Sequence, residues 1–465
     1  MEGAATSCFD PRCGPDPREP LHRRMTDAPA SGPSHRDIVR LSLPLIASNL
    51  TVPLIGLVDT AVAGHLPGAS ALAAVAAASA VSSVVLIGLN FLRMSTSGLT
   101  AQAHGAQDPG QTWLVFFRSA ILALALAGIL VLARYAIASV GISLIAPPGE
   151  VAALAKEYLH IRLLGAPLTL LSMVSMGFFI GVGRPKVALV MTVASNLVNV
   201  GLDLLLVPGL GWGVSGLAWA TIGGELAAVL AALPFLLQRW RADAVVLDTR
   251  ALWNPQAWRT LLSGNADLWI RTLCLTGSFA VFARQAAQLG ETALAANAVL
   301  LQLQALMSYG LDGFANAAEV LVGQALGARD GARTKRAIRL AMQWSLALAL
   351  VFAATFALGG NVLVALMTDL PEIRLATASL MPWMVLSPLI SVWAFTYDGI
   401  FIGGTWTRSM RNSVVAAAVT FGLAVLLLQG PFGQHGLWAA FLMFFAVRGI
   451  WLAVALRGKV DAAVG

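Results

Sequence analysis

Long apolar stretches separated by short polar breaks run along most of the chain. They fall near residues 38–65, 70–101, 111–145, 151–181, 186–210, 213–238, 256–289, 292–327, 335–367, 374–402, 410–430 and 434–456. About 20 residues of helix span the hydrocarbon core of a bilayer. The pattern therefore predicts an all-α integral membrane protein with about twelve transmembrane helices. Residues 1–36 interrupt it, being rich in Pro, Gly and charge, with no short apolar segment and small-residue cleavage site ahead of the first span. This reads as a disordered cytoplasmic tail, not a cleaved signal peptide. Residues 459–465 read as a second, shorter tail.

The stretches repeat. Gln102-Ala-His-Gly105 recurs as Gln324-Ala-Leu-Gly327, an offset of 324 − 102 = 222 residues, and Phe179-Ile-Gly181 recurs as Phe401-Ile-Gly403 at the same offset. Gly216-Leu-Ala-Trp-Ala220 matches Gly436-Leu-Trp-Ala-Ala440 less closely, at 220. Six stretches separate the matches, an even number, so both halves should lie the same way up, related by an axis along the membrane normal. The expected domains are a six-helix lobe over 37–238, a cytoplasmic linker over 239–255 carrying Arg239, Arg241, Asp243, Asp248, Arg250 and Pro255, and a second six-helix lobe over 256–458. Two such bundles leave a cleft between them, and tilting one against the other gives alternating access.

Composition supports a bilayer rather than water as the main solvent. Of 465 residues 58% are hydrophobic and 11% charged, against roughly a quarter charged in soluble domains. The net charge of +7 does not point to nucleic acid, because its cations cluster at alternate breaks. Arg184 and Lys186 fill the fourth, and Arg329, Arg333, Lys335, Arg336 and Arg339 fill the eighth, whereas the first and fifth breaks have no Lys or Arg. Cations accumulate on the cytoplasmic side of membrane proteins. Arg23, Arg24, Arg36 and Arg40 before the first span, with Arg457 and Lys459 after the last, then place both termini inside. A multi-pass protein of the inner (plasma) membrane is expected. Cys8, Cys13 and Cys274 form neither a disulfide framework nor a metal-binding spacing.

The candidate chemistry lies in ionisable residues within apolar stretches. A carboxylate in hydrocarbon costs several kcal/mol unless it is neutralised, paired or wetted. Asp59 is the clearest case, with Pro53 and Gly56 in the same span able to loosen the helix. It is a candidate for taking and releasing a proton, or alternatively a satisfied structural acid. Thr192, Asn196, Asn199 and Asp203 share one helical face. Asn199 and Asp203 would join Asp59 in a cation site if the first and fifth spans meet; otherwise the stripe only bonds helices together. Asn265, Asp267, Asp312 and Asp398, and Thr192 and Asn196 of the stripe, are candidates for a separate substrate or second ion site. Asp267 and Arg271, four apart, predict an internal ion pair. Glu319 and Arg93 read as snorkelling groups near cytoplasmic ends. Met94, Met173, Met176 and Met307 fit either an adaptable pocket or ordinary packing.

Residues 56–65 (GLVDTAVAGH), 91–102 (FLRMSTSGLTAQ) and 312–324 (DGFANAAEVLVGQ) resemble the multidrug and toxic compound extrusion (MATE) family, and within it the DinF-like branch. Residues 199–203 (NVGLD), 211–221 (GWGVSGLAWAT) and 398–403 (DGIFIG) extend the resemblance over nearly everything after residue 36. It implies a two-lobe antiporter, working without an organic cofactor, that expels cationic or amphipathic compounds as H⁺ or Na⁺ enters. Asp59 matches the branch's first-span Asp implicated in proton coupling, and Asn199 and Asp203 match an Asn and Asp of the same lobe. The seventh-span acid that other branches use for Na⁺ is not clearly reproduced, so H⁺ is the expected coupling ion. The expected partners are small organic cations or amphipathic drugs and the lipid bilayer, with a monomer as the working unit and no nucleic acid.

Two other readings stand beside this one. A flippase of a lipid-linked precursor needs mid-span cations for pyrophosphate, and few Lys or Arg fall there. An integral membrane enzyme needs a metal spacing, nucleophile elbow or phosphate-cradling Gly loop, and the sequence offers none of these.

Overall fold

In a computed structural model, residues 32–66 and 69–464 are described, and all their regular structure is helical. Most of the amino-terminal tail, with Cys8 and Cys13, lies outside the described residues. Helix α1 (His35–Gly64) opens on a capping box in which Asp37 N donates to Ser34 Oγ and Ser34 N donates to Asp37 Oδ2. Two otherwise unpaired backbone donors are thereby satisfied. The helix continues past Pro53 and Gly56.

The stretch expected as one span over 70–101 is a pair, α2 (Ala69–Ile87) and α3 (Phe91–Gly105), parted by a turn. α4 covers Pro109–Ile145. The next span is bent by 50° at Gly165 between α5 (Gly149–Leu164) and α6 (Ala166–Gly181). α7 (Pro185–Leu204) ends in a π-helical turn, Leu205–Gly209, which contains Pro208, and α8 covers Gly213–Asp243. Arg239, Arg241 and Asp243, expected in the linker, thus belong to α8, and the connection itself is 244–254 with the short α9 (Thr249–Leu252). Arg118 of α4 anchors it by donating to the carbonyls of Ala251 and Leu252. The second half comprises α10 (Pro255–Gln288), α11 (Glu291–Gly327), α12 (Gly331–Met367), α13 (Pro371–Gly403), α14 (Thr407–Leu456) and α15 (Lys459–Val464).

Nine of these helical runs are long and apolar enough to cross a membrane, and the bent α5–α6 pair makes ten. α1 adds another, with no charged residue between Arg40 and Asp59. The 50 residues of α14 would extend about 75 Å, far more than one bilayer core. Gly433, at φ 54° and ψ −126°, breaks α14 into two antiparallel spans. Twelve crossings result.

The repeat is visible in the element boundaries. Adding 222 to Ala69 and Gly105 gives Glu291 and Gly327, the limits of α11. The same shift carries α4 onto α12 and the α5–α6 pair onto α13. Each lobe has its own core, around Leu159 and Leu217 and around Trp113 and Phe178 in the first, and around Phe282, Trp438 and Phe441 in the second. A further cluster crosses the seam, joining Leu92 and Met94 of α3 to Phe314 and Leu321 of α11 and Phe401 of α13.

The seam is closed at the end of the bundle that carries the Arg- and Lys-rich loops, called here the basic face. Gln102 Nε2 donates to Gly403 O (2.8 Å) and its repeat partner Gln324 Nε2 donates to Gly181 O (3.1 Å). A Cβ on Gly105 would collide with the Gln324 carbonyl, and one on Gly327 with the Gln102 carbonyl. Only glycine permits so close an approach.

Candidate functional site

Helices α1 and α7 lie side by side, and the polar stripe of α7 faces α1. Ser48 and Thr192 share a hydroxyl hydrogen bond of 2.7 Å, and Asn196 Nδ2 donates to Thr51 O at 3.4 Å. These two rungs join the helices. Asn199, packed against Gly224 of α8, is buried with both amide atoms unpartnered.

At the stripe's end Asp203, 0% exposed, faces the half-buried Asp59 within hydrogen-bonding reach, and neither Asp203 oxygen has another partner. Two carboxylates are both acceptors, so a bond between them requires one to carry a proton. Three helices complete the surroundings. Arg162, at the end of α5, donates to Glu225 of α8 at 3.2 Å and acts on Asp59 through space. Tyr158, buried one turn earlier, reaches Thr221 and Ser79.

The second-lobe candidates do not form one site. Asp398 Oδ2 accepts from Arg271 and, at 2.6 Å, from Arg448, while Asp398 Oδ1 is unpartnered. Arg448 is 1% exposed. Asp312, half-buried, stands in the field of Arg93, Asp398, Arg271 and Arg448. Asp267 is elsewhere, nearer the basic face, bound to Arg411 Nη1 (2.7 Å) and Thr407 Oγ1 (3.0 Å). The expected Asp267–Arg271 pair does not form, because each side chain meets an opposite charge on a neighbouring helix. Asn265 is buried with its amide unpartnered.

Glu319 does not snorkel. It is fully buried in the seam, since the closed lobes cover the part of α11 that a lone helix would expose. Met307 belongs to the second lobe's core and Met173 and Met176 are packed between helices. Met94 alone of the four borders a cavity of about 290 Å³, with Asp267, Trp406, Arg408 and Lys459 around it. Among the described residues no group of three or more His, Cys, Asp and Glu could hold a metal ion.

Sequence reasoning passed over Arg162, Glu225 and Arg448. Each is an ionisable residue inside an apolar stretch, the same signal that picked out Asp59. Tyr158 had no such signal, since a Tyr in an apolar span is ordinary core.

Comparison with known proteins gives one consistent result. The MatE family model matches residues 44–205 and again 268–427, one copy per lobe and together more than half the chain. The DNA damage-inducible protein F of Escherichia coli is 37% identical over 425 residues, covering 91% of this chain and 92% of that protein. A probable multidrug resistance protein NorM of Caulobacter vibrioides is 27% identical over 463 residues, covering 96% and 94%. A crystal structure of MATE in the straight conformation superposes with a TM-score of 0.84 at 22% identity, over 92% of this chain and 96% of that one. An outward-facing multidrug resistance MATE family transporter gives 0.83 at 22%, over 93% and 97%. Two lobes, each matching the same family model, with a relative this similar over nine-tenths of both chains, make this protein a member of the MatE family of multidrug and toxic compound extrusion transporters, which are not enzymes.

Proposed function

We propose that this protein is a secondary active exporter of cationic or amphipathic small molecules, exchanging them for protons in preference to Na⁺ by rocking its two lobes. One observation carries the coupling assignment: Asp59 and Asp203 face each other with no donor between them, an arrangement that holds one exchangeable proton. Na⁺ is bound by oxygen ligands converging from several sides, and here Asn199 is the nearest further amide along the stripe. The basic face is cytoplasmic by the distribution of Lys and Arg. Both termini then lie in the cytoplasm of an inner-membrane protein, and the closed seam makes this the outward-facing state. One chain carries both lobes, so a monomer suffices.

Asp59 and Asp203 lie near the ends of α1 and α7 farthest from the basic face, where protons arrive from outside. Protonation of the pair removes a buried negative charge, and the resulting change in packing between α1 and α7 favours release of the exported molecule. Thr192 and Asn196 hold the two helices in register.

Arg271 and Arg448 at mid-bundle favour the lipid-precursor flippase more than the sequence suggested. Both guanidinium groups are bound to Asp398, however, and Arg162 is bound to Glu225, so a pyrophosphate would have to displace internal partners.

The test is efflux of a fluorescent organic cation from proteoliposomes under an imposed proton gradient and then a Na⁺ gradient. Proton-driven transport lost in both Asp59→Asn and Asp203→Asn is the expected result. Transport driven by Na⁺ alone would overturn the proton assignment. Absence of transport under either gradient would overturn the exporter reading.

A further inference from the structure

The seam holds one acid that this exchange does not use. Glu319 is 0% exposed, and neither of its carboxyl oxygens has a hydrogen-bond partner of good geometry. α1, α3, α12 and α13 pack against α11, and Lys335, Arg336 and Arg339 of α12 are exposed. α3 brings the hydroxyl of Ser97 within reach and supplies Arg93, the one charged group acting on it. Arg93 turns its Nε to Asn90 at 3.3 Å and forms no ion pair with Glu319. α13 supplies Gly403, whose missing side chain lets it rest on the Glu319 backbone carbonyl, while α1 passes alongside with no charge between Arg40 and Asp59. Ser97 and Glu319 are equivalent under the 222-residue repeat. Their meeting puts Glu319 at the axis relating the lobes, where any separation of the basic face must part them.

We propose that Glu319 is a second proton-binding site, one that locks the basic face shut by holding a proton while the seam is closed and releasing it to water when the lobes part. An ionised carboxylate sealed away from water without an ion pair or a full set of hydrogen bonds is strongly disfavoured. The neutral acid avoids that cost and has an O–H to donate. If the basic face opens, α3 leaves α11 and water replaces Ser97, so the carboxylate is solvated and ionises. The closed state therefore binds more protons than the open one. Closure is favoured as pH falls and lost as pH rises, by up to about tenfold in the closed-to-open ratio per pH unit for one linked proton. The inference rests on the rocking of the lobes proposed above, but on neither its substrate nor its Asp59–Asp203 coupling.

The experiment places spin labels on the basic face of each lobe, at Lys186→Cys and Ala332→Cys, both exposed. The full chain, with Cys8, Cys13 and Cys274 changed to Ser, is studied in nanodiscs. Inter-label distance distributions are recorded by pulsed electron double resonance from about pH 5 to about pH 9. The expected result is a closed population that gives way to an open one as pH rises, in the labelled parent and equally in Asp59→Asn. Glu319→Gln, neutral and of the same shape, stays closed throughout. Opening of Glu319→Gln with the parent's pH profile would overturn the proposal, as would a parent whose distances ignore pH. Loss of drug efflux with pH-driven opening intact would count against the exporter reading alone.

Discussion

Asp398 carries two guanidinium partners on one oxygen, and one of them, Arg448, is 1% exposed. Removing one member of a buried pair strands the other, at a cost of about 3–5 kcal/mol. Asp398→Leu, which leaves both guanidinium groups without their acid, should therefore lower the thermal midpoint in detergent well below that of Lys335→Ala. The Lys335–Asp461 pair is solvent-exposed, and such pairs contribute less than about 1 kcal/mol. A comparable contrast divides the stripe on α7. Thr192→Val deletes only a helix-joining hydrogen bond, worth about 0.6 kcal/mol, and should keep proton-driven efflux within about twofold of wild type, whereas Asp203→Asn abolishes it. The candidate residues themselves were legible, because a charge or amide in an apolar stretch stands out. Their partners were not. Spacing along one helix paired Asp267 with Arg271, yet Arg411 and Asp398 come from helices more than a hundred residues away.

At the scale of elements, close helix contacts are set by glycine. Gly399 on α13 lies against the Ala315 backbone carbonyl of α11, where a Cβ has no room, while a Cβ on Gly128 of α4 would meet nothing within 4 Å. Gly399→Ala should cost about 1–3 kcal/mol through overpacking and lower the thermal midpoint. Gly128→Ala should be neutral or slightly stabilising, since alanine is the better helix former. The positions of the spans were legible from hydropathy, down to the break at Gly433 between the eleventh and twelfth. The turn between Ile87 and Phe91 was not, because Gly88, Leu89 and Asn90 interrupt the apolar run too briefly. The helical character of Arg239–Asp243 was hidden for the opposite reason. Charge suggested a loop, but Arg239 and Asp243 pair along one helix face at 2.7 Å, and Trp113 Nε1 donates to the same carboxylate at 2.9 Å.

For the molecule as a whole, the two lobes have separate cores and are joined by a short connection in which Val246 is 92% exposed. Chains cut in such exposed loops commonly reassemble. Co-expression of residues 1–245 and 246–465 as two polypeptides should give a co-purifying pair that retains at least about half of the intact protein's efflux; two halves that fail to associate would show that the seam cannot hold the lobes unaided. The repeat that made the two-lobe plan legible also hides a difference. Where the second half has α11 and α13 as single helices, α13 with Pro382 and Pro388 inside it, the first has α2–α3 parted by a turn and α5–α6 meeting at 50°. A continuous helix resists flexing, whereas a pair meeting at a break yields there. At α11, which has no internal proline, duplication has thus left a stiff element where the first half has a compliant pair. When the lobes tilt, α11 behaves as a strut and α2–α3 as a spring, and the spring lies in the half that contains Asp59 and Asp203.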